Sequence, residues 1–160
     1  LGAMQTCIVP VVSYNFAAGK YERCKKTLKV AIGFGVALMM IGVVLFETIP
    51  GQMLHVFSHD PEVIRIGVVA FRFIGISFVP LVSSLTFPVF FQALGHAATS
   101  SILTIIRTVF LFIPLAYLFS RFGLNWFWLT FPVTDSITTL AGYLFYRKFN
   151  KSMPSAAGEA

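Results

Sequence analysis

The sequence predicts an all-α membrane protein, a polytopic bundle of about five transmembrane helices. Its 160 residues are 57% hydrophobic and 11% charged, with a mean hydropathy of +0.83. Soluble domains carry about 25% charged residues, so this composition argues against an ordinary soluble enzyme or nucleic-acid-binding protein. At roughly 20 residues per spanning helix, the length allows four to six helices. We expect helices because lipid offers no hydrogen-bond partners for exposed backbone N–H and C=O groups.

Five apolar stretches are each near the length needed to cross about 30 Å of hydrocarbon. They cover residues 1–18, 30–49, 62–92, 101–119 and 126–146, and residues 152–160 form a small, polar tail. The third stretch begins where Asp60 can cap a helix and Pro61 suits its first turn. Pro80 and Pro88 lie inside this stretch, and we expect them to kink or tilt the helix.

Basic residues are concentrated on one side of this predicted bundle. Eight lie in the first connecting segment or near the C-terminus, namely Lys20, Arg23, Lys25, Lys26, Lys29, Arg147, Lys148 and Lys151. The opposite side has only Arg65, in the first turn of the third stretch, and Arg121. Because cytoplasmic loops carry an excess of Lys and Arg, we expect an integral protein of the plasma (inner) membrane with a cytoplasmic C-terminus. The formal charge of +6 then indicates contact with anionic lipid rather than with nucleic acid.

Four sequence landmarks follow one another along the chain. They are PVVSYNFAAGKYER at 10–23, FSHDPEVI at 57–64 with Arg72 beyond, FQALG at 91–95, and GLN at 123–125 with Asp135 beyond. In order and spacing they resemble the multidrug and toxic compound extrusion (MATE) family of cation-coupled efflux transporters. Ala17 departs from the family's usual Gly. The third span also lacks the acidic residue that some sodium-coupled members carry there.

The resemblance implies that these spans correspond to helices eight to twelve of the family's twelve, in the second of its two six-helix bundles. We therefore expect the C-terminal half of a longer transporter, whose partners are the bilayer and an N-terminal six-helix bundle of the same chain. The implied activity is export of amphipathic or cationic small molecules by alternating access, in exchange for Na⁺ or H⁺. We expect no enzymatic activity, no other cofactor and no metal site, since His55 and His59 have no third ligand fixed beside them.

Two other functions fit the same spans. A flippase for lipid-linked sugars, from the same superfamily, would need a basic lining for pyrophosphate, and only Arg72 and Arg107 are available. The other alternative is a membrane fragment that inserts without transporting anything.

Polar side chains inside the spans are the candidate site residues. The candidate substrate contacts are Gln5, Tyr14, Asn15, Arg72, Ser83 and Gln92. Asp135 and Arg107 are the coupling candidates, because an ionisable group within a membrane span is costly and a functional role is its default interpretation. Each of these residues also has a possible structural role. Polar residues also join helices, arginines can reach an interface, and Asp135 can pair with Arg107 or Arg72 or cap the helix after Pro132.

Overall fold

The structure is a computed structural model that describes the backbone of residues 2–152 and the side chains of residues 2–151. Its helices are α1 (Gly2–Ala17), α2 (Tyr21–Thr48), α3 (Pro50–His55), α4 (Pro61–Ala93), α5 (Ala97–Ile105), α6 (Ile113–Ser120), α7 (Leu124–Phe127) and α8 (Thr130–Ser152). A π-helical segment, Ile106–Phe112, joins α5 directly to α6. The predicted all-α class is confirmed. The predicted tail lies outside the described residues, except for residue 152, which ends α8.

Three helical runs within the described residues are long and apolar enough to cross a membrane: Tyr21–Thr48, Pro61–Ala93 and Ala97–Ser120. They correspond to the second, third and fourth predicted spans. The first and fifth spans correspond to α1 and α8. The described part of α1 has 16 residues. α8 carries a polar, threonine-rich face around Asp135 and exposes Leu140 and Leu144 among its apolar side chains.

The predicted first loop is largely helical. α2 begins at Tyr21 rather than at residue 30, so most of the basic residues between the first two spans lie on its opening turns. Lys, Arg and Glu are good helix formers, and Glu22 pairs with Lys25, three residues on, at 2.7 Å. Hydropathy detects the apolar part of a helix, and a polar extension such as this one escapes it.

Local signals at the helix ends act as expected. The Asp60 carboxylate accepts a hydrogen bond from the backbone N–H of Glu62 over 2.9 Å, which confirms the predicted cap of α4. Gly19, between α1 and α2, has a φ of +72°, and Gly95, between α4 and α5, has a φ of +79°. Glycine adopts this left-handed conformation without the steric cost that a Cβ brings. Three residues separate the helices at each turn, and the glycine allows the chain to reverse its direction within that length.

α4 lies at the centre of the bundle and packs against α1, α2, α3, α5 and α8. Glycines on the neighbouring helices permit close approach. A Cβ on Gly35 of α2 would lie 2.6 Å from Cγ1 of Val82, and one on Gly142 of α8 would lie 2.5 Å from Cδ2 of Phe87. Small residues are common at such contacts because van der Waals packing, rather than the hydrophobic effect, joins helices in lipid.

Pro80 and Pro88 both lie within α4, which runs through them from Pro61 to Ala93. A proline inside a helix removes one backbone donor and leaves a carbonyl to be satisfied in another way. The freed carbonyls lie four residues before each proline. The Thr139 hydroxyl of α8 donates instead to the carbonyl of Pro80 itself, over 2.9 Å. α8 therefore contacts α4 at Pro80.

The apolar core lies towards one end of the bundle. Val12 of α1, Cys24 of α2 and Phe91 of α4 are almost completely buried there. The Phe149 ring of α8 contacts the rings of Phe91 and His96, with centroids 5.9 and 4.9 Å apart. The start of α2 and the end of α8 therefore lie at the same end. These are the two basic regions that the sequence assigns to one side of the membrane.

Candidate functional site

Asp135 and Arg107 form an ion pair inside the bundle. Arg107 Nε donates to Asp135 Oδ1 over 3.0 Å, and Ser84 Oγ donates to the same oxygen over 2.9 Å. α4, the π-helical segment and α8 each contribute one of these residues. The Asp135 side chain is 2% exposed and that of Arg107 is 26% exposed. An isolated charge at this depth would carry a large desolvation cost, so each charge depends on the other.

Arg107 is the second residue of the π-helical segment Ile106–Phe112. Such segments, with hydrogen bonds from i to i+5, are rare and frequently mark functional sites. Pro114 follows closely, and a proline both lacks an N–H and crowds the carbonyl four residues before it. Arg107 projects from an irregular stretch of an otherwise regular apolar helix.

Hydroxyl groups line the first turns of α8 beside the pair. Thr130, Thr134 and Thr138, spaced four apart, are each at most 1% exposed. Thr138 donates to the Thr134 carbonyl over 2.8 Å. The Thr130 and Thr134 hydroxyls and the Trp128 indole N–H are buried without a hydrogen-bond partner among the described residues. Buried polar groups of this kind commonly bind ordered water, so this part of the bundle is a polar interior.

A cleft of about 180 Å³ opens beside the ion pair. Its polar lining is contributed by α1, α4, α5 and the π-helical segment, through Gln5, Ser84, Gln92, Ser100, Thr104 and Arg107. We call it the polar cleft. Arg107 connects it to Asp135, because this residue lines the cleft and its Nε binds the carboxylate. Two predicted substrate contacts, Gln5 and Gln92, therefore share one space with a coupling candidate.

The remaining substrate candidates lie elsewhere. Asn15 lines a groove between α1 and α2, and its side-chain amide donates to the Val11 carbonyl over 2.7 Å, in agreement with a structural role. Tyr14 is 74% exposed, Arg72 is exposed and Ser83 is half-buried. These three line neither the polar cleft nor the groove.

Three polar residues of the site are absent from the predicted candidates. The candidates include Ser83 on α4, whereas Ser84 is the serine that binds Asp135. They also omit Ser100 and Thr104, which line the polar cleft. A partial signal for them exists, since Ser100, Thr104 and Arg107 are spaced i, i+4 and i+7, which places them on one helix face. Other polar residues lie off that face, so the spacing alone does not single these three out.

The membrane bundle, the buried charge pair and the polar cleft together define a class: a helical membrane transporter, in which intramembrane charges face an internal cavity. The MatE family model matches residues 1–118 of the chain. The chain therefore belongs to the MatE family, the multidrug and toxic compound extrusion transporters that its landmarks indicate, and this is a family of transporters rather than of enzymes.

A curated relative, the FAD transporter of Shewanella oneidensis, is 23% identical over 142 residues, covering 88% of this chain and 31% of the relative. A multidrug resistance MATE transporter of the MOP superfamily, solved in an inward-facing conformation, is 19% identical and superposes with a TM-score of 0.88. That match covers 99% of this chain and 37% of the other. A structure of a multidrug resistance MATE transporter in an outward-facing conformation is also 19% identical and superposes with a TM-score of 0.87. That match covers 95% of this chain and 35% of the other. The chain thus spans about a third of the length of the relatives it matches.

Proposed function

We propose that the chain supplies five of the six helices of the second bundle of a cation-coupled antiporter in the plasma membrane. The complete antiporter exports amphipathic or cationic small molecules in exchange for Na⁺ or H⁺, and an N-terminal six-helix bundle forms the other wall of its cavity. The observation that carries this proposal is the position of the Asp135–Arg107 pair, one partner buried and the other lining the polar cleft. Buried intramembrane charges beside a cavity mark substrate or ion pathways.

The electrostatics of the pair provide a coupling step. A Na⁺ or a proton bound at Asp135 neutralises the carboxylate, and Arg107 then loses the charge that compensates its own. The uncompensated guanidinium lines the polar cleft, where at low dielectric it repels a cationic substrate strongly. Ion binding thus weakens substrate binding, and by linkage substrate binding weakens ion binding by the same factor. Mutual exclusion of this kind is what exchange transport requires.

Substrate contacts in this proposal come from neutral polar groups. The Gln5 and Gln92 side chains offer amide donors and acceptors, and Ser100 and Thr104 offer hydroxyls. Tyr14, Arg72 and Ser83 would reach the substrate only from the surface that faces the other bundle. We propose them as contacts in the completed cavity.

Alternating access is supported by the two conformations that the bundle matches. It superposes almost equally well on an inward-facing structure and on an outward-facing one, with TM-scores of 0.88 and 0.87. A bundle that keeps its internal arrangement in both is suited to rock as one body against its partner.

The test is efflux by the protein expressed from its complete gene, in drug-sensitive cells and in proteoliposomes. We expect a fluorescent amphipathic cation to be exported under an imposed Na⁺ or pH gradient, and export to stop when both gradients are collapsed. Gln92→Ala should raise the KM for this substrate. Glu62→Gln, in an exposed ion pair at the other end of α4, is the matched control.

Different failures of this experiment have different meanings. Export that continues at full rate without either gradient would contradict cation coupling. Transport of FAD without transport of any amphipathic cation would contradict the proposed substrate class. Transport of a lipid-linked sugar precursor would favour a flippase instead.

A further inference from the structure

A second, larger groove runs along the surface between α1 and α2. Its volume is about 710 Å³, and it shares no lining residue with the polar cleft. Most of its length is apolar, through Met4, Cys7, Ile8, Val11, Val30 and Phe34. The side chains of Val30 and Phe34 are 60% and 63% exposed. Among the described residues this surface is open.

The charged end of this groove is formed by Arg23 and Lys26 on the first turns of α2. Both residues are exposed. Among residues 2–151 neither of them forms an ion pair, whereas their neighbour Lys25 binds Glu22 at 2.7 Å. Two positive charges without a protein counter-charge thus stand at one end of an apolar groove. This combination attracts an anion that carries an apolar tail.

The dimensions of the groove match one leaflet of a bilayer. Arg23 and Phe34 are eleven residues apart on α2, which corresponds to about 16 Å at the helical rise of 1.5 Å per residue. Half of a hydrocarbon core of about 30 Å is about 15 Å. A ligand with its charge at Arg23 and Lys26 would therefore extend its tail to the middle of the membrane.

We propose that this groove binds one anionic phospholipid, with an acyl chain along the apolar wall and the phosphate held by Arg23 and Lys26. Charge and shape both favour this occupant. A zwitterionic lipid fills the apolar part but gains less from the two cations, because its own ammonium group offsets the phosphate charge. A protein helix that covered Arg23 and Lys26 as well would bury their charges, and it would then need acidic side chains opposite them.

The first test is native mass spectrometry of the protein expressed from its complete gene, incubated with phosphatidylglycerol and phosphatidylcholine in equal amounts. We expect phosphatidylglycerol to be retained preferentially, and Arg23→Ala with Lys26→Ala to reduce its retention, by about fivefold for each charge removed. Lys20→Ala removes a nearby basic residue that does not line the groove and should retain the lipid. Equal retention of both lipids, or no effect of the double variant, would overturn the proposal.

A second test reports on the apolar wall and identifies the occupant. Phe34→Trp places a fluorophore in the groove, and its emission is compared with that of the parent protein in nanodiscs. Brominated phosphatidylglycerol should quench the added emission more than brominated phosphatidylcholine does, and Arg23→Ala with Lys26→Ala should abolish the difference. If neither lipid quenches it, a protein segment fills the groove and the proposal is wrong.

Discussion

Neutralising Asp135 should destabilise the bundle far more than neutralising an exposed carboxylate with a similar partner. The chain offers both cases. Asp135 pairs with Arg107 at 3.0 Å with its side chain 2% exposed, whereas Glu62 pairs with Arg65 at 2.7 Å with both side chains more than 60% exposed. Asp135→Asn preserves the shape of the side chain and its ability to accept a hydrogen bond from Ser84. The charge is the main property that changes.

The magnitude follows from what the substitution leaves behind. Removing one partner of a buried ion pair costs about 3 to 5 kcal/mol, because the other charge stays buried and uncompensated. The Arg107 side chain keeps 26% of its exposure, so solvent offsets part of that penalty, and we expect a loss of about 2 to 3 kcal/mol. Adding Arg107→Gln removes the orphaned charge. The double variant should recover about 1 to 2 kcal/mol, an ordinary coupling energy for residues in contact.

The assay is equilibrium unfolding of the complete protein in mixed micelles with increasing denaturing detergent, for the wild type, both single variants and the double variant. Glu62→Gln is the matched control, and its unfolding midpoint should not move measurably because exposed ion pairs contribute little. Equal stability of Asp135→Asn and the control would refute the burial argument. If the stability lost by the double variant equals the sum of the losses of the two single variants, the pair is not coupled.

Two further predictions concern the interface of α4 with α8. Gly142→Ala should destabilise the bundle by about 1 to 3 kcal/mol in the same unfolding assay, because its Cβ would lie 2.5 Å from the Phe87 ring; Gly33→Ala, with open space around it, should not. An unchanged midpoint for Gly142→Ala would contradict the close approach. Thr139→Val removes the hydroxyl that bonds the Pro80 carbonyl, and a loss of about 0.6 kcal/mol is expected; a change above about 2 kcal/mol would indicate a larger role for this hydrogen bond.

Much of the fold follows from the sequence, because bilayer physics constrains it strongly. A chain this apolar must satisfy its backbone within helices, and signals such as Asp60 before Pro61 mark where a helix begins. The start of α2 escaped the sequence reading for a physical reason. Its opening turns are charged, so they produce no apolar signal, yet Glu22 and Lys25 stabilise them as helix. The π-helical winding beside Pro114 likewise leaves no distinct trace in hydropathy.

The sequence indicated several residues of the site but not how they are arranged. The cost of burying Asp135 and Arg107 singles them out, and their pairing was one of several open alternatives. Choosing among these needed the rotation of three helices about their axes. A shift of one residue on α4 exchanges Ser83 for Ser84 and turns the side chain through about 100°. Single-residue resolution of that kind comes from packing, which the sequence pattern does not specify.

The most direct test of the central claim separates coupling from substrate binding in proteoliposomes that contain the complete protein. Gradient-driven export and gradient-free exchange of a labelled substrate are measured side by side for the wild type and for Asp135→Asn. If Asp135 couples transport to the ion, the variant should lose gradient-driven accumulation. It should exchange substrate only with a raised KM, because the uncompensated Arg107 in the polar cleft weakens binding of the cation. Wild-type accumulation by Asp135→Asn, with an unchanged dependence on the Na⁺ or pH gradient, would contradict the account.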